Sequence, residues 1–469
     1  MKGESEKGTW DSEVDVVVAG AGGAGLAAAI ELREANADVI VFEKQATIED
    51  SSTSLCGGVF TFAGTDFQEK KGIQDSNDLL YNDLMEVGQW KNDEKLVQTY
   101  VKNQLDAYHW LNGFGCKWFA IEALAGMSVP RGHVTDPAKA LSLLKEAAER
   151  KGAKLVFETG VTGLVTDENK RVIGVSVKGK EGSMRVKARK GVVLATGGFG
   201  RDIKRLETIN PQLTQVVPVV GPGHTGDGHR MAEELGAFLK DTEYVKPTFG
   251  IHAASTSNDT LSMMFYNGAI IVNKEGKRFI NESLSYKDIG KASLAQPDST
   301  GYQIYDQRIF ETGVERVKGL RPDKALWGVD ESRIKLTVKA DTIGELAFKM
   351  AVPPEALKDT IDRYNNGVDA GKDLDFGRTT LAGGVGKIVR LDTPPFYAYA
   401  SKSALPATYG GIVIDEDMHV LTRQGKIPAL YAAGEIVGGF HGASYMSGSA
   451  TVKAIVFGRV AGRNAAKGD

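Results

Sequence analysis

The chain has 469 residues, 42% of them apolar and 25% charged, with 57 basic against 60 acidic side chains. Those proportions lie inside the ordinary globular range and exclude a disordered or fibrous chain, while the length allows two or three domains around substantial cores. A formal net charge of −3 with no basic stripe excludes the electrostatic footprint of a nucleic-acid-binding protein. The two cysteines, Cys56 and Cys116, make neither a metal-ligand set nor a disulfide framework, so a reducing, cytoplasmic setting is expected, with no metal. Met1 to Glu13 is polar and lacks the apolar core of a signal peptide. No run of about 18 apolar residues predicts an integral membrane segment. The 56 glycines stand against only 14 prolines without any Gly/Ser repeat, which places glycine at defined turns and at close backbone approaches to a large ligand.

Val14 to Ala19 reads as a buried strand, followed at once by Gly20-Ala21-Gly22-Gly23-Ala24-Gly25 and an Ala/Leu-rich helix to about Asn36. Val39 to Phe42 is a second strand, and it ends at Glu43. The unit is therefore strand, GxGxxG, helix, strand and acidic residue, which is the dinucleotide-binding fingerprint. Gly20 permits the tight turn, Gly22 lets backbone N–H groups approach a pyrophosphate, Gly25 permits close helix–strand packing, and Glu43 accepts from a ribose hydroxyl. Further along, Pro137 to Lys151 reads as a helix, and Lys154 to Val165 with Arg171 to Val177 as strands. Gly191 to Gly200 is a buried strand running into glycines. From Asp241 to Lys387 short strands, charged helices and Pro-punctuated loops suggest an inserted domain. Ala429 to Glu435 is an apolar strand that stops at Gly434 and presents Glu435, and Ala450 to Ala466 is a helix whose N-terminus favours negative charge. The expected fold is α/β: a Rossmann-like dinucleotide-binding domain in two segments, 1–240 and 388–469, with an inserted α+β capping domain over 241–387.

Four segments, namely the fingerprint with Glu43, the Ser51 to Gly58 loop, Gly226-Asp227-Gly228, and Tyr431 to Gly448, resemble the fumarate reductase/succinate dehydrogenase flavoprotein family over nearly the whole chain. The resemblance implies FAD and hydride exchange between the flavin and a carbon next to an activating group. It carries the family's FAD positions onto Gly20, Gly22, Gly23, Ala24, Gly25, Glu43 and Lys44; onto Ser52, Thr53, Ser54, Gly57 and Gly58; onto Val161, Ala195, Thr196, Gly197 and Asp227; and onto Gly434, Glu435, Ser449, Ala450 and Thr451. The loop Ser51 to Gly58 has no histidine, so attachment is expected to be non-covalent.

The substrate motifs depart from the fumarate pattern. Lys246-Pro247-Thr248 stands where those enzymes have His-Pro-Thr, Ala407-Thr408-Tyr409-Gly410-Gly411 where they have His-Thr-Met-Gly-Gly, and Ser444-Tyr445 where they have Asn-Arg. Tyr286 replaces their proton-delivering arginine, and Arg308 lies offset from their acid. Without a bidentate arginine and two imidazoles a dicarboxylate is left largely unpaired, at a cost of several kcal/mol. Tyr286 and the run Tyr445-Met446-Ser447-Gly448-Ser449 instead resemble the 3-ketosteroid dehydrogenase branch, nearer its Δ4-(5α) than its Δ1 members; Tyr108 is the candidate for the extra Δ1 tyrosine. The resemblance implies catalysis by Tyr445 on a carbonyl oxygen and by Tyr286, relayed through Ser447, on the adjacent carbon. The partner molecule is then a neutral steroid-like ketone or enone, with a separate electron donor or acceptor. Duller readings stand beside these: Ser447 as a helix cap, Lys246 as a surface charge or the anchor of an acidic substrate, His133 and His441 as structural histidines, and Phe60, Phe62, Trp118, Phe249, Phe440 and Tyr409 as core. A reductase for another activated alkene, such as an acrylate or urocanate-like acid, and a protein with a purely structural flavin are the alternatives.

Overall fold

A computed structural model describes residues 9–256, 260–317, 330–384 and 386–468; the first eight residues of the polar N-terminal stretch lie outside them. Among the described residues an eight-stranded sheet forms one half of the molecule. Its centre is parallel: Lys154–Val156, Val39–Phe42, Ser12–Ala19, Gly182–Leu194 and Gly425–Ala432 lie side by side in that order. His419–Thr422 adds antiparallel to the last strand, and Gly160–Thr166 and Val172–Gly179 run out from Gly182–Leu194 as a meander. Val39–Phe42 and the carboxyl-terminal ends of Ser12–Ala19, Gly182–Leu194 and Gly425–Ala432 are apolar and buried on both faces, as helices on either side require.

Register brings the carboxyl ends of these strands into one line. Val156, Phe42, Ala19, Leu194 and Ala432 are consecutive cross-strand partners. The residues that follow them, including Gly20, Glu43, Ala195 and Gly434, therefore open onto a single edge, where open α/β sheets bind ligands. Two helices pack together against the sheet, Gly23–Glu34 and Ser449–Lys467. Their approach is close enough that a Cβ on Gly458 would overlap the backbone of Ala24.

The second half is built on a six-stranded sheet. Its long strand Phe396–Leu405 pairs antiparallel with Thr248–His252, Thr300–Asp306 and Val338–Ala340, and parallel with Val217–Pro218. That strand comes after residue 387, where the sequence pattern ends the capping segment. A separate apolar core forms under this sheet from Ile270, Ile304, Leu346, Leu357, Ile361 and Tyr364, among others. The helix Tyr286–Ser293 lies on strand Thr248–His252 so tightly that a side chain on Gly290 would strike the Pro247 carbonyl. This packing sets the first turn of the helix, and with it Tyr286, at the boundary of the two halves.

The helices Asn77–Val87 and Glu94–Gly113 lie in a stretch for which the sequence pattern names no element. Among the described residues no helix is long and apolar enough to cross a membrane, and no group of three or more His, Cys, Asp or Glu side chains can hold a metal ion. Replacing Gly458 with valine is expected to force the two sheet-covering helices apart, at a cost of about 1–3 kcal/mol. The check is a thermal melt: the midpoint falls by several degrees, and an unchanged midpoint contradicts the tight helix contact.

Candidate flavin and substrate cleft

A continuous cleft runs along the carboxyl edge of the parallel sheet and under the second half, with about 1820 Å³ of empty space, its open mouth included. At one end stands the fingerprint. A side chain at Gly25 would collide with the Gly20 carbonyl oxygen, so the turn and helix can meet only with glycine there. Gly22 faces open space instead: a Cβ there would meet nothing nearer than Thr53 Oγ1 at 3.8 Å. Glu43 leaves its strand into the cleft, where its carboxylate accepts from the backbone N–H groups of Ala21 and Gln45, both at 2.9 Å. Thr53 Oγ1 accepts from Gly23 N–H at 3.2 Å, which ties the Ser51–Gly58 loop to the start of the fingerprint helix.

The middle of the cleft is organised by two carboxylates. Asp227 forms an ion pair with Lys44, which also donates to Thr225 Oγ1 at 2.7 Å. Glu435 accepts from Thr408 N–H at 2.8 Å and Thr408 Oγ1 at 3.1 Å, and its other oxygen lies 3.7 Å from His224 Nδ1. His224 also joins Ser52 Oγ at 2.9 Å and accepts from Gly198 N–H at 3.2 Å. Burial pushes the His224 imidazolium down, while Glu435 pulls the other way. Thr196 Oγ1 in the same wall is buried without a protein partner.

At the other end the wall is apolar and phenolic: Leu124, Leu261, Met263, Tyr266, Tyr286, Pro406, Ala407, Tyr409 and Tyr445. Tyr286 Oη lies 2.9 Å from Ser447 Oγ, and Tyr445 Oη accepts from Gly448 N–H at 2.8 Å. Burial raises both phenols; the Ser447 bond works against this at Tyr286, and the Gly448 N–H works against it at Tyr445. The rings of Tyr409 and Tyr445 stack with centroids 4.5 Å apart at 21°. The C-terminal helix begins here with Gly448 as its N-cap at φ 79°, so Ser447 does not cap it, and Ala450 and Thr451 in the first turn line the cleft.

Most of the sequence-predicted positions meet in this one cleft. Gly25, Ser54, Gly58 and Ser449 stand behind its wall: Ser54 Oγ donates to Ile48 carbonyl, Ser449 Oγ to Met446 carbonyl, and Gly58 turns at φ 74° against Thr135. Lys246 forms an ion pair with Asp288 at 2.8 Å and does not line the cleft. Arg308 is half exposed and pairs with Asp306 and Asp392, outside the cleft. Tyr108 donates to Asp66 at 2.8 Å and packs with Phe62 and Trp118 in the core, away from the phenols. His133 is held by Thr65 at 2.8 Å and the Arg131 carbonyl at 2.9 Å. His224, Thr408 and Lys287 escape sequence reasoning, although His224 lies three residues before Asp227 and Lys287 follows Tyr286 directly.

The FAD binding domain family matches residues 15–451. The chain is 34% identical over 464 residues to the fumarate reductase (cytochrome) of Shewanella frigidimarina, covering 97% of this chain and 77% of that protein. It is 32% identical over 475 residues to the urocanate reductase of Eggerthella lenta, covering 97% and 75%. Among solved structures it is similar to the open conformation of a flavocytochrome c3 fumarate reductase, with TM-score 0.81 and 30% identity over 98% of this chain and 79% of that one. It is also similar to the 3-ketosteroid-Δ4-(5α)-dehydrogenase of Rhodococcus jostii RHA1 in complex with 4-androstene-3,17-dione, with TM-score 0.79 and 27% identity over 99% and 100%.

The cleft fits FAD. It offers open space over Gly22, a carboxylate at the end of the second strand, an orphaned threonine hydroxyl in its wall, and a helix N-terminus at its far end. Glu43→Gln removes a charged acceptor and is expected to weaken FAD binding about tenfold, read by titrating flavin fluorescence against the apoprotein; unchanged affinity contradicts the role of Glu43. With that fit, and with the family matched from Asp15 to Thr451, the chain belongs to the FAD-dependent fumarate reductase/succinate dehydrogenase flavoprotein superfamily and is an FAD-dependent oxidoreductase that acts on carbon–carbon bonds.

Proposed function

We propose that this chain reduces an alkene conjugated to an uncharged carbonyl, with a 3-oxo-4-ene steroid as the substrate class. The observation that carries this reading is the substrate wall. Among the described residues, the basic side chains lining the cleft are Lys44 and His224, and both are engaged at the fingerprint and middle sections by Asp227 and by Ser52 and Glu435. The remaining end presents phenols and apolar side chains. A dicarboxylate drawn in there gives up its hydration without a cation to replace it, which costs several kcal/mol. A ketone needs only a hydrogen-bond donor.

When bound, the flavin supplies hydride to the carbon β to the carbonyl. The chain's own groups handle the oxygen and the proton. Because Tyr445 Oη already accepts from Gly448 N–H, its proton is free to point at the substrate carbonyl oxygen and to stabilise the charge that develops there. Tyr286, joined to Ser447 at 2.9 Å, delivers a proton to the α carbon. Burial raises the Tyr286 phenol, against the pull of the Ser447 bond, so it holds the proton that the reductive direction delivers to the α carbon. We read the chain as working in that direction, with electrons from a separate donor. FAD is held non-covalently, since the Ser51–Gly58 loop has no histidine; acid precipitation is expected to leave the colour in the supernatant, and a yellow pellet contradicts this.

A second reading, reduction of an unsaturated acid, is favoured by the names of the fumarate and urocanate reductases to which the chain is similar. Mixing dithionite-reduced holoprotein with 4-androstene-3,17-dione, fumarate, acrylate and urocanate separates the two. Rapid reoxidation by the steroid alone is expected, and reoxidation by the acids with none by the steroid overturns the first reading in favour of the second. Tyr445→Phe and Tyr286→Phe are each expected to keep the flavin and to slow reoxidation by the steroid about 100-fold or more. A variant that keeps the wild-type rate removes that tyrosine from the chemistry.

A further inference from the structure

Behind the phenols lies a buried cation that neither the FAD site nor the proton path uses. Lys287 sits on the first turn of helix Tyr286–Ser293 and is 1% exposed. Its Nζ is 4.5 Å from the centroid of the Tyr409 ring and 5.9 Å from that of Tyr445, the two rings being stacked on each other. It donates to the Lys246 carbonyl oxygen at 3.2 Å, and among the described residues no carboxylate hydrogen-bonds to it.

An ammonium so placed is expensive to bury, and a methionine fills the same volume. What it gains is the faces of two aromatic rings. One of those rings carries the hydroxyl aimed at the substrate carbonyl. The other groups that face it are accounted for. Glu435, which is bonded to Thr408 beside Tyr409, favours its charge and Lys246, in the loop before strand Thr248–His252, opposes it, with Lys246 itself paired to Asp288. His441, whose ring lies 5.0 Å from Tyr409 and 5.4 Å from Tyr445, is kept neutral by burial and then by Lys453 and Lys287. Tyr409 and Tyr445 are themselves neutral, both raised by burial.

We propose that Lys287 is a positioning residue that acts through Tyr409 and Tyr445: its charge behind the stacked rings makes the Tyr445 hydroxyl a stronger donor and favours negative charge on the carbonyl oxygen which that hydroxyl contacts. The inference rests on the reading of the cleft as a site for a conjugated carbonyl. It also has a pH signature. Burial pushes the Lys287 ammonium down to about 7, against the pull of Glu435, so the charge is present below neutrality and is lost as pH rises through that value.

The test uses reduced holoprotein and 4-androstene-3,17-dione, with reoxidation followed from about pH 5.5 to 9. The wild-type rate is expected to fall about tenfold across that range. Lys287→Met gives a flat profile at the low level, and Lys287→Arg, which stays charged, a flat profile near the wild-type acid level. A Lys287→Met protein with wild-type rate and profile overturns the inference. Binding of 4-nitrophenolate to oxidised holoprotein provides a readout without turnover: Lys287→Met is expected to weaken it about tenfold and Lys287→Arg to retain it. Equal affinity in wild type and Lys287→Met, or no binding to wild type, also overturns it. If the steroid never reoxidises the wild-type protein, the proposed substrate class fails, while the phenolate titration still decides the role of Lys287.

Discussion

Five parallel strands stop in register at one edge of their sheet, and the chemistry of this protein depends on that alignment. The residues just past the strand ends still tie into the sheet, Gly20, Glu43 and Ala195 donating their N–H groups to Phe42, Val156 and Ala19, and they line the cleft, with Gly434 and Glu435 beside them. They form a line of donors, acceptors and bare backbone that fits the phosphates and ribose of a dinucleotide. The helices Gly23–Glu34 and Ser449–Lys467 both bring their first turns to the same cleft, which favours negative charge there. The second half of the molecule adds the roof. Through the tight seat of helix Tyr286–Ser293 on strand Thr248–His252 it delivers Tyr286 to Ser447, 161 positions further along the chain.

The electrostatics of the substrate end follow from how its charges are paired. Lys246 and Arg308 have carboxylate partners, Lys44 is held by Asp227, and Glu435 is occupied by Thr408 and His224. What faces the substrate is a set of phenols that burial keeps neutral. A neutral donor is enough for a carbonyl oxygen, whereas a carboxylate drawn in also gives up its hydration with no cation to replace it. One cation, Lys287, is held back behind the rings, where it can act on charge that develops during reaction without offering itself as a ligand.

Much of the cofactor end is legible in the sequence because its determinants are local. The turn, the helix start and the acidic residue of the fingerprint lie within 24 consecutive positions, Gly20 to Glu43, and each has its own backbone reason. The strand Val39–Phe42 and the helix that starts at Pro137 follow from local composition in the same way. The cap is harder to read, since strand Phe396–Leu405 takes its place by pairing with segments roughly 60 to 150 positions earlier, and no local pattern states a register. The fate of charged side chains is likewise non-local. Lys246 and Lys287 are both lysines in the same domain; one meets Asp288 and the other two aromatic faces only because a helix folds across a strand. The pairing of Tyr286 with Ser447 joins the two halves, and the sequence suggests it only through the family resemblance.

In the proposed reading, the pocket beyond the FAD site recognises an uncharged carbonyl compound. Equilibrium titration of the oxidised holoprotein, followed by the flavin absorbance band, tests it without reference to turnover or electron donor. Saturable binding of 4-androstene-3,17-dione with no detectable binding of succinate or fumarate at millimolar concentration is the outcome this structure predicts. Tight, saturable capture of the diacid, with none of the steroid, contradicts it.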